Sequence, residues 1–209
     1  MKYDSVILDI DGTIWNTTEI VSEAWNEAIK TYFPQVPLVS SKILQQQFGK
    51  TMKVIADNLF TALSDDEKNF LMKKCCEMEQ KYLHNNVKDL TYPGVIEGIK
   101  KLSEQIPVFI VSNCQDGYIE VVIEKNGISE YITDFECYGK TGLDKSENIK
   151  LIIERNNLMA SVYVGDTKGD EEACKAAGIP FIWASYGFGL SSEFIGKLDS
   201  FEDIFLLIN

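Results

Sequence analysis

Val6-Ile7-Leu8-Asp9-Ile10-Asp11-Gly12-Thr13 is the stretch on which the fold turns. Three consecutive apolar residues read as a buried strand, and the acidic pair behind them would emerge at the strand's C-terminal end, where open α/β sheets place their ligands. Alternation along an extended chain puts the Asp9 and Asp11 side chains on the same side. Asp-Gly is also a common turn signal, so the pair alone reads either as a site or as a turn. A calcium loop of the EF-hand type fits poorly, because that pattern needs a third oxygen ligand before its glycine.

Outward from this strand, short apolar runs alternate with helical patterns. The strand candidates are residues 6–8, 108–111, 162–164 and 181–183, and residues 97–104, 117–126, 146–156 and 170–177 read as helices. Gly127, Gly178 and the Asn156-Asn157 pair follow three of these helices, where a left-handed cap is favoured, and Ser146 is a plausible N-cap. From about Thr18 to Leu90 no strand signal appears. Leu71, Cys75, Met78 and Tyr82 recur there at the spacing of one buried helix face. The chain therefore leaves the sheet after its first strand, builds a helical unit and returns near Tyr92-Pro93-Gly94. The expected fold class is α/β, a parallel sheet in residues 1–16 and 91–209 covered by helices, with an inserted α-helical cap at 17–90.

A second acidic signal, Gly165-Asp166-Thr167-Lys168-Gly169-Asp170, follows the strand at 162–164. Four carboxylates at the ends of neighbouring strands repel one another unless a cation is bound or some are protonated. An all-oxygen set suits Mg²⁺, which takes a few carboxylates, keeps waters and accepts phosphate oxygens. Ser112 and Asn113 end the strand at 108–111 and offer a hydroxyl, an amide and backbone N–H groups to an anion. Lys145 stands just before the helix at 146, with Lys140 as its competitor for a bound phosphoryl group. Gly49-Lys50-Thr51 and Gly139-Lys140-Thr141 look like the end of a P-loop, but the required earlier glycine is replaced by Leu44 and Asp134.

Composition narrows the partners. The 209 residues carry 20 Lys plus Arg against 32 Asp plus Glu, a net charge of −12, which repels a nucleic-acid backbone or an anionic membrane surface. It does not exclude a small phosphorylated metabolite held by local cations. Hydrophobic residues at 45% can form a core. The N-terminus is too short in apolar residues and too acidic for a signal peptide, and no run approaches a membrane span, so a cytoplasmic protein is expected. Five cysteines without a C-x-x-C and one histidine, His84, favour neither a zinc site nor a disulfide framework.

Taken in order, Asp9-x-Asp11-Gly12-Thr13, Ser112-Asn113, Lys145 and Gly165-Asp166-Thr167-x-x-Asp170 resemble the motifs of the haloacid dehalogenase (HAD) superfamily. The helical insert resembles the small cap of the phosphoglycolate phosphatase and β-phosphoglucomutase branch. The resemblance implies a Rossmann-like three-layer core and a Mg²⁺-dependent phosphatase that acts on a small phosphorylated metabolite through an aspartyl-phosphate. It assigns Asp9 as nucleophile and Asp11 as general acid/base. It places Ser112, Asn113 and Lys145 at the phosphoryl group. For Mg²⁺ it implies Asp9, the Asp11 backbone carbonyl, Asp166 and, through water, Asp170. The family's dehalogenases lack the second aspartate, and its sugar phosphomutases carry a cap histidine where this chain has Val21. Asp11 favours a phosphatase or phosphomutase over a dehalogenase, and Val21 favours a phosphatase over a sugar phosphomutase, the alternative within the same class. Ser146 stands where the family's lysine is usually followed by proline. A catalytically silent binding protein on the same fold is the alternative from another class; the four aspartates argue against it.

Overall fold

The computed structural model describes residues 2–208. The chain runs β1 (Ser5–Leu8), α1 (Thr18–Tyr32), α2 (Ser41–Gln45), α3 (Met52–Leu59), α4 (Asp65–Asn85), α5 (Val95–Ser103), β2 (Val108–Ser112), α6 (Tyr118–Lys125), β3 (Asp134–Cys137), α7 (Tyr138–Thr141), α8 (Lys145–Arg155), β4 (Ser161–Gly165), α9 (Lys168–Ala177), β5 (Phe181–Ala184), β6 (Gly196–Leu198) and α10 (Ile204–Leu207). All six strands are parallel, in the order β3-β2-β1-β4-β5-β6. β1 is central: Val6 lies opposite Val108 on one side and Val162 on the other.

Side-chain alternation divides the apolar residues between two layers. Val6, Leu8, Val108, Ile110, Val162 and Val164 pack toward α5, α6 and α10. Ile7, Phe109, Val111 and Tyr163 pack against α8 and α9. The result is the expected Rossmann-like three-layer core. The chain moves outward from β1 to β3, then crosses back to β4 on the other side, so the topological switch lies beside β1 at the carboxyl edge of the sheet.

Each expected strand lies inside an observed one, which is longer by one or two residues. β3 and β6 lack a strand signal in the sequence for different reasons. In β3, Asp134 and Glu136 alternate with Phe135 and Cys137 on the sheet edge, their charges clamped by Arg155 at 2.8 and 2.9 Å. β6 has only three residues. Gly178 caps α9 in the left-handed region, and Gly127 and Asn157 also take positive φ. Ser146 is not an N-cap. Asp144 occupies that position and α8 begins one residue earlier than expected, at Lys145. The loop before it is held by Thr141 and Asn148, which bond each other and the Leu143 backbone, so the first helical turn starts early enough to carry the lysine inward.

Helices α1 to α4 contain a hydrophobic cluster of their own, from Val21 and Trp25 to Leu71 and Cys75. On α4, Leu71 and Cys75 are buried as expected, while Met78 and Tyr82 sit partly buried at the cluster's edge. The fully buried line instead continues Leu71, Cys75, Glu79, Leu83, which brings a carboxylate into the apolar face. Two strands of chain join this unit to the sheet. They pair at Trp15 and Thr91, with Asn16 N–H donating to the Leu90 carbonyl at 2.8 Å and Tyr92 N–H to Ile14 at 3.1 Å. Among the described residues no helix is long and apolar enough to cross a membrane. His84 is exposed, and all five cysteines are free thiols.

Candidate active site

The carboxyl ends of β1 and β4 bring Asp9, Asp166 and Asp170 together. Carboxylate oxygens from the three lie within 4.8 Å of one another, and all three residues are buried. Lys145 joins them from the first turn of α8. Its Nζ donates to Asp9 Oδ1 at 2.8 Å and to Asp170 Oδ1 at 2.5 Å, and the side chain is only 4% exposed. Burial opposes the ammonium charge, but Asp170 and Asp9 outweigh it and push the lysine's pKa upward. Lys140 points elsewhere, half exposed and 3.6 Å from Glu136.

Burial also raises the Asp9 carboxyl to about 6, with Lys145 opposing and Asp170 adding to the rise. Asp166 is driven well above the ordinary carboxylate range by burial, then by Asp170 and Asp9. Three carboxylates against one ammonium leave two negative charges uncompensated, which is the charge of one divalent cation. Asp166 Oδ1 is buried with no hydrogen-bond partner, an orphaned lone pair in a set of hard oxygen donors. These residues fit Mg²⁺.

Asp166 is held by a tight frame. The Phe188 N–H donates to its Oδ2 at 2.6 Å and the Trp183 indole to its backbone carbonyl at 3.1 Å. Gly12, at φ +88°, leaves no room beside it: a Cβ there would fall 2.1 Å from Asp166 Oδ2. Gly12→Ala is therefore expected to combine backbone strain with displacement of Asp166. Thermal unfolding should show a loss of about 1–3 kcal/mol, and activity should fall with it; a variant of unchanged stability and activity would contradict this packing.

Asp11 reaches the site by another route than the expected alternation. β1 ends at Leu8, and the chain then turns so that Ile10's carbonyl accepts from Thr13, Ile14 and Trp15 N–H groups. Asp11 Oδ1 accepts from the Tyr118 hydroxyl at 2.8 Å and from Thr17 at 3.1 Å, on the α6 layer, whereas Asp9 meets Lys145 on the α8 layer. The Asp11 carboxylate is accordingly outside the three-aspartate group. Both acids still line one small cavity of about 20 Å³ with Ser112, Asn113, Glu79 and Gln115. Burial raises the Asp11 carboxyl to about 8; Tyr118's hydrogen bond opposes this, and Asp9 and Glu79 add to it. A larger groove of about 530 Å³ runs beneath the Trp15–Thr91 junction but carries none of these aspartates. Chemistry and not volume marks the site.

Ser112 closes β2 at the cavity wall, and the Asn113 side-chain amide donates to the Gly49 carbonyl of the inserted unit at 2.8 Å. Tyr118, Thr17, Glu79 and Gln115 were not singled out in the sequence. Glu79 had a signal: an acid four residues after Cys75 on an otherwise apolar face. Trp15 is core, edge-on to Tyr118, Lys53 pairs with Asp57 at the surface, and Lys50 lines the cavity.

With this geometry in place, the whole chain compares with known proteins as follows. Residues 6–184 match the haloacid dehalogenase-like hydrolase family. The chain belongs to that family. A phosphoglycolate phosphatase of Vibrio parahaemolyticus is 24% identical over 194 residues, covering 88% of this chain and 84% of the relative. A crystal structure of a predicted phosphoglycolate phosphatase from Haemophilus somnus superposes with a TM-score of 0.86 at 19% identity, covering 100% of this chain and 99% of the other. A haloacid dehalogenase-like family hydrolase from Streptococcus pneumoniae gives the same TM-score at 16% identity, with 100% and 99% covered. As a member of this family the chain is a hydrolase, and the comparisons support its fold from end to end.

Proposed function

We propose that the protein is a Mg²⁺-dependent phosphatase that hydrolyses a small phosphorylated metabolite through an aspartyl-phosphate on Asp9. The observation that carries this reading is the buried pairing of Asp9 with Lys145 beside two further carboxylates, with Asp11, its carboxyl raised to about 8 by burial, on the same cavity wall. A binding module needs no such division between one carboxylate that can attack and another that keeps its proton. The names of the relatives lean the same way.

In this reading Asp9, Asp166, Asp170 and the Asp11 backbone carbonyl would hold the cation, Asp170 through water. Bound there, Mg²⁺ would supply positive charge that screens the anionic phosphoryl group from the carboxylates. Lys145 adds its ammonium from the α8 layer, Ser112 supplies its hydroxyl and Asn113 its backbone N–H at the end of β2. The Asp9 carboxylate, already ionised, attacks phosphorus while the ester oxygen departs with the proton from Asp11. Water then attacks the phosphorus of the aspartyl-phosphate and gives its proton to the Asp11 carboxylate. Phosphate leaves, and both acids return to their starting forms.

Residues 17–90 act as a cap domain on a core of 1–16 and 91–209, jointed where Trp15 pairs with Thr91. A cavity of about 20 Å³ admits little more than one water. The cap therefore opens to admit substrate and closes to exclude solvent. Hydrolysis of p-nitrophenyl phosphate in Mg²⁺, lost on chelation and restored by Mg²⁺, tests the reading. Excess Ca²⁺ should inhibit, since it takes more ligands at longer distances. Full activity in chelator would overturn the metal.

Asp11 supplies a second test. As the acid it must hold a proton, so turnover of alkyl phosphates should fall as pH rises through the Asp11 value of about 8. Asp11→Asn should lose about a hundredfold on an alkyl phosphate, considerably less in the first step with an aryl phosphate, and lack this alkaline limb. Equal losses on both substrates would exclude the proton-transfer role.

A further inference from the structure

Glu79 has no place in the chemistry above, yet it is among the most thoroughly buried carboxylates of the chain, 3% exposed on α4 and lining the cavity shared with Asp9 and Asp11. No ion pair with it occurs among the described residues. Its two oxygens accept from neutral donors: Oε2 from the Trp25 indole at 2.7 Å and Oε1 from Gln115 Nε2 at 2.9 Å. Burial raises the Glu79 carboxyl to about 7 against its hydrogen bonds from Gln115 and Trp25, and a donor on a ligand would favour the ionised form.

The neighbouring amides point to the same need independently. Gln115 spends its N–H on Glu79, and its Oε1 is buried without a partner. Asn113 spends its N–H on the Gly49 carbonyl, an acceptor that fixes the amide's orientation, and its Oδ1 is likewise buried without a partner. The wall thus offers a carboxylate and two unused carbonyl oxygens. Its one Lys or Arg is Lys50, whose ammonium donates to the Gln46 carbonyl and to Gln47 Oε1. The leaving-group side of the cavity is rich in acceptors, and its one ammonium is already engaged by two oxygens of the inserted unit.

We infer that Glu79, with Gln115 and Asn113, selects a leaving group that presents hydroxyl or ammonium donors and rejects one that carries a carboxylate. This rests on the phosphatase reading and specifies its substrate class as the phosphate esters of polyols or amino alcohols. It runs against the substrate named for the Vibrio relative, whose glycolate portion would bring a second anion beside Glu79, where Lys50 would have to leave Gln46 and Gln47 to pair it. Sites that hydrogen-bond a substrate's donors discriminate far more strongly than sites that match apolar shape, because their acceptors are otherwise left unpaired.

The experiment measures kcat/KM of the wild-type protein and Glu79→Gln, in Mg²⁺ at pH 7, on p-nitrophenyl phosphate, glycerol 3-phosphate, phosphoethanolamine and 2-phosphoglycolate. Wild type should favour glycerol 3-phosphate or phosphoethanolamine over 2-phosphoglycolate by about a hundredfold, and Glu79→Gln should shrink that ratio at least about tenfold. A hydroxyl-selecting wall shows in the first substrate and an ammonium-selecting wall in the second. Wild-type preference for 2-phosphoglycolate, equal rates, or a ratio unmoved by Glu79→Gln would overturn the inference while leaving the phosphatase reading intact. Absence of p-nitrophenyl phosphate turnover would overturn the phosphatase reading and the inference with it. If Glu79→Gln fails to fold, the wild-type ratio alone decides.

Discussion

Asp9→Asn is expected to lose about 10⁵-fold or more in kcat, the scale seen when a covalent nucleophile is removed. The amide keeps the shape of the side chain but cannot attack phosphorus. The same substitution should leave the thermal midpoint at or above that of wild type. Asp9, Asp166 and Asp170 crowd within 4.8 Å with a single ammonium between them, and removing one charge relieves repulsion while Asp170 still pairs Lys145. Active sites commonly hold such strain at the expense of stability. Loss of activity accompanied by loss of folding, or retention of more than a tenth of wild-type turnover, would remove Asp9 from its assigned role.

Lys145→Ala should cost about 10²–10³-fold in kcat/KM, the scale seen when one electrostatic donor to the developing charge is removed. Asp9 and Asp170 would then face each other without their shared ammonium. Lys140→Ala should change the rate little, because its half-exposed contact with Glu136 belongs to the surface class worth about 0–1 kcal/mol. Measured side by side on one substrate, a severe defect in Lys140→Ala with a near-normal Lys145→Ala would reverse the assignment.

Much of this molecule is legible in its sequence because buried parallel strands leave few choices. Val6-Ile7-Leu8, Val108 to Val111 and Val162 to Val164 are continuous apolar runs, and each ends within two residues of a residue of the site. β3 was hidden because its acids at 134 and 136 are neutralised by Arg155, a partner some twenty residues away that no local pattern indicates. α8 starts one residue earlier than the sequence pattern predicts because Thr141 and Asn148 organise its loop through side chains, and the early start turns Lys145 toward Asp9. The meeting of Asp9, Lys145, Asp166 and Asp170 follows from the order of motifs along the chain. The support behind Asp11 does not: Tyr118 lies 107 positions away, and only the packing of α6 on β1 brings its hydroxyl there.

Asp170 divides its two oxygens between different tasks. Oδ1 receives the Lys145 ammonium, whereas Oδ2 accepts from the Thr167 N–H at 3.0 Å and its hydroxyl at 2.6 Å, closing the capping box that starts α9. Such a cap is worth about 1 kcal/mol of folding free energy whether or not any ester is ever cleaved. The two aspartates would consequently drift at different speeds in a lineage that abandoned catalysis. Asp9 would be released from selection, or favoured to change by the repulsion it causes, while Asp170 would be kept for the helix it begins. An aspartate surviving at position 170 in some descendant would testify to an intact architecture; an aspartate at position 9 would testify to a working enzyme.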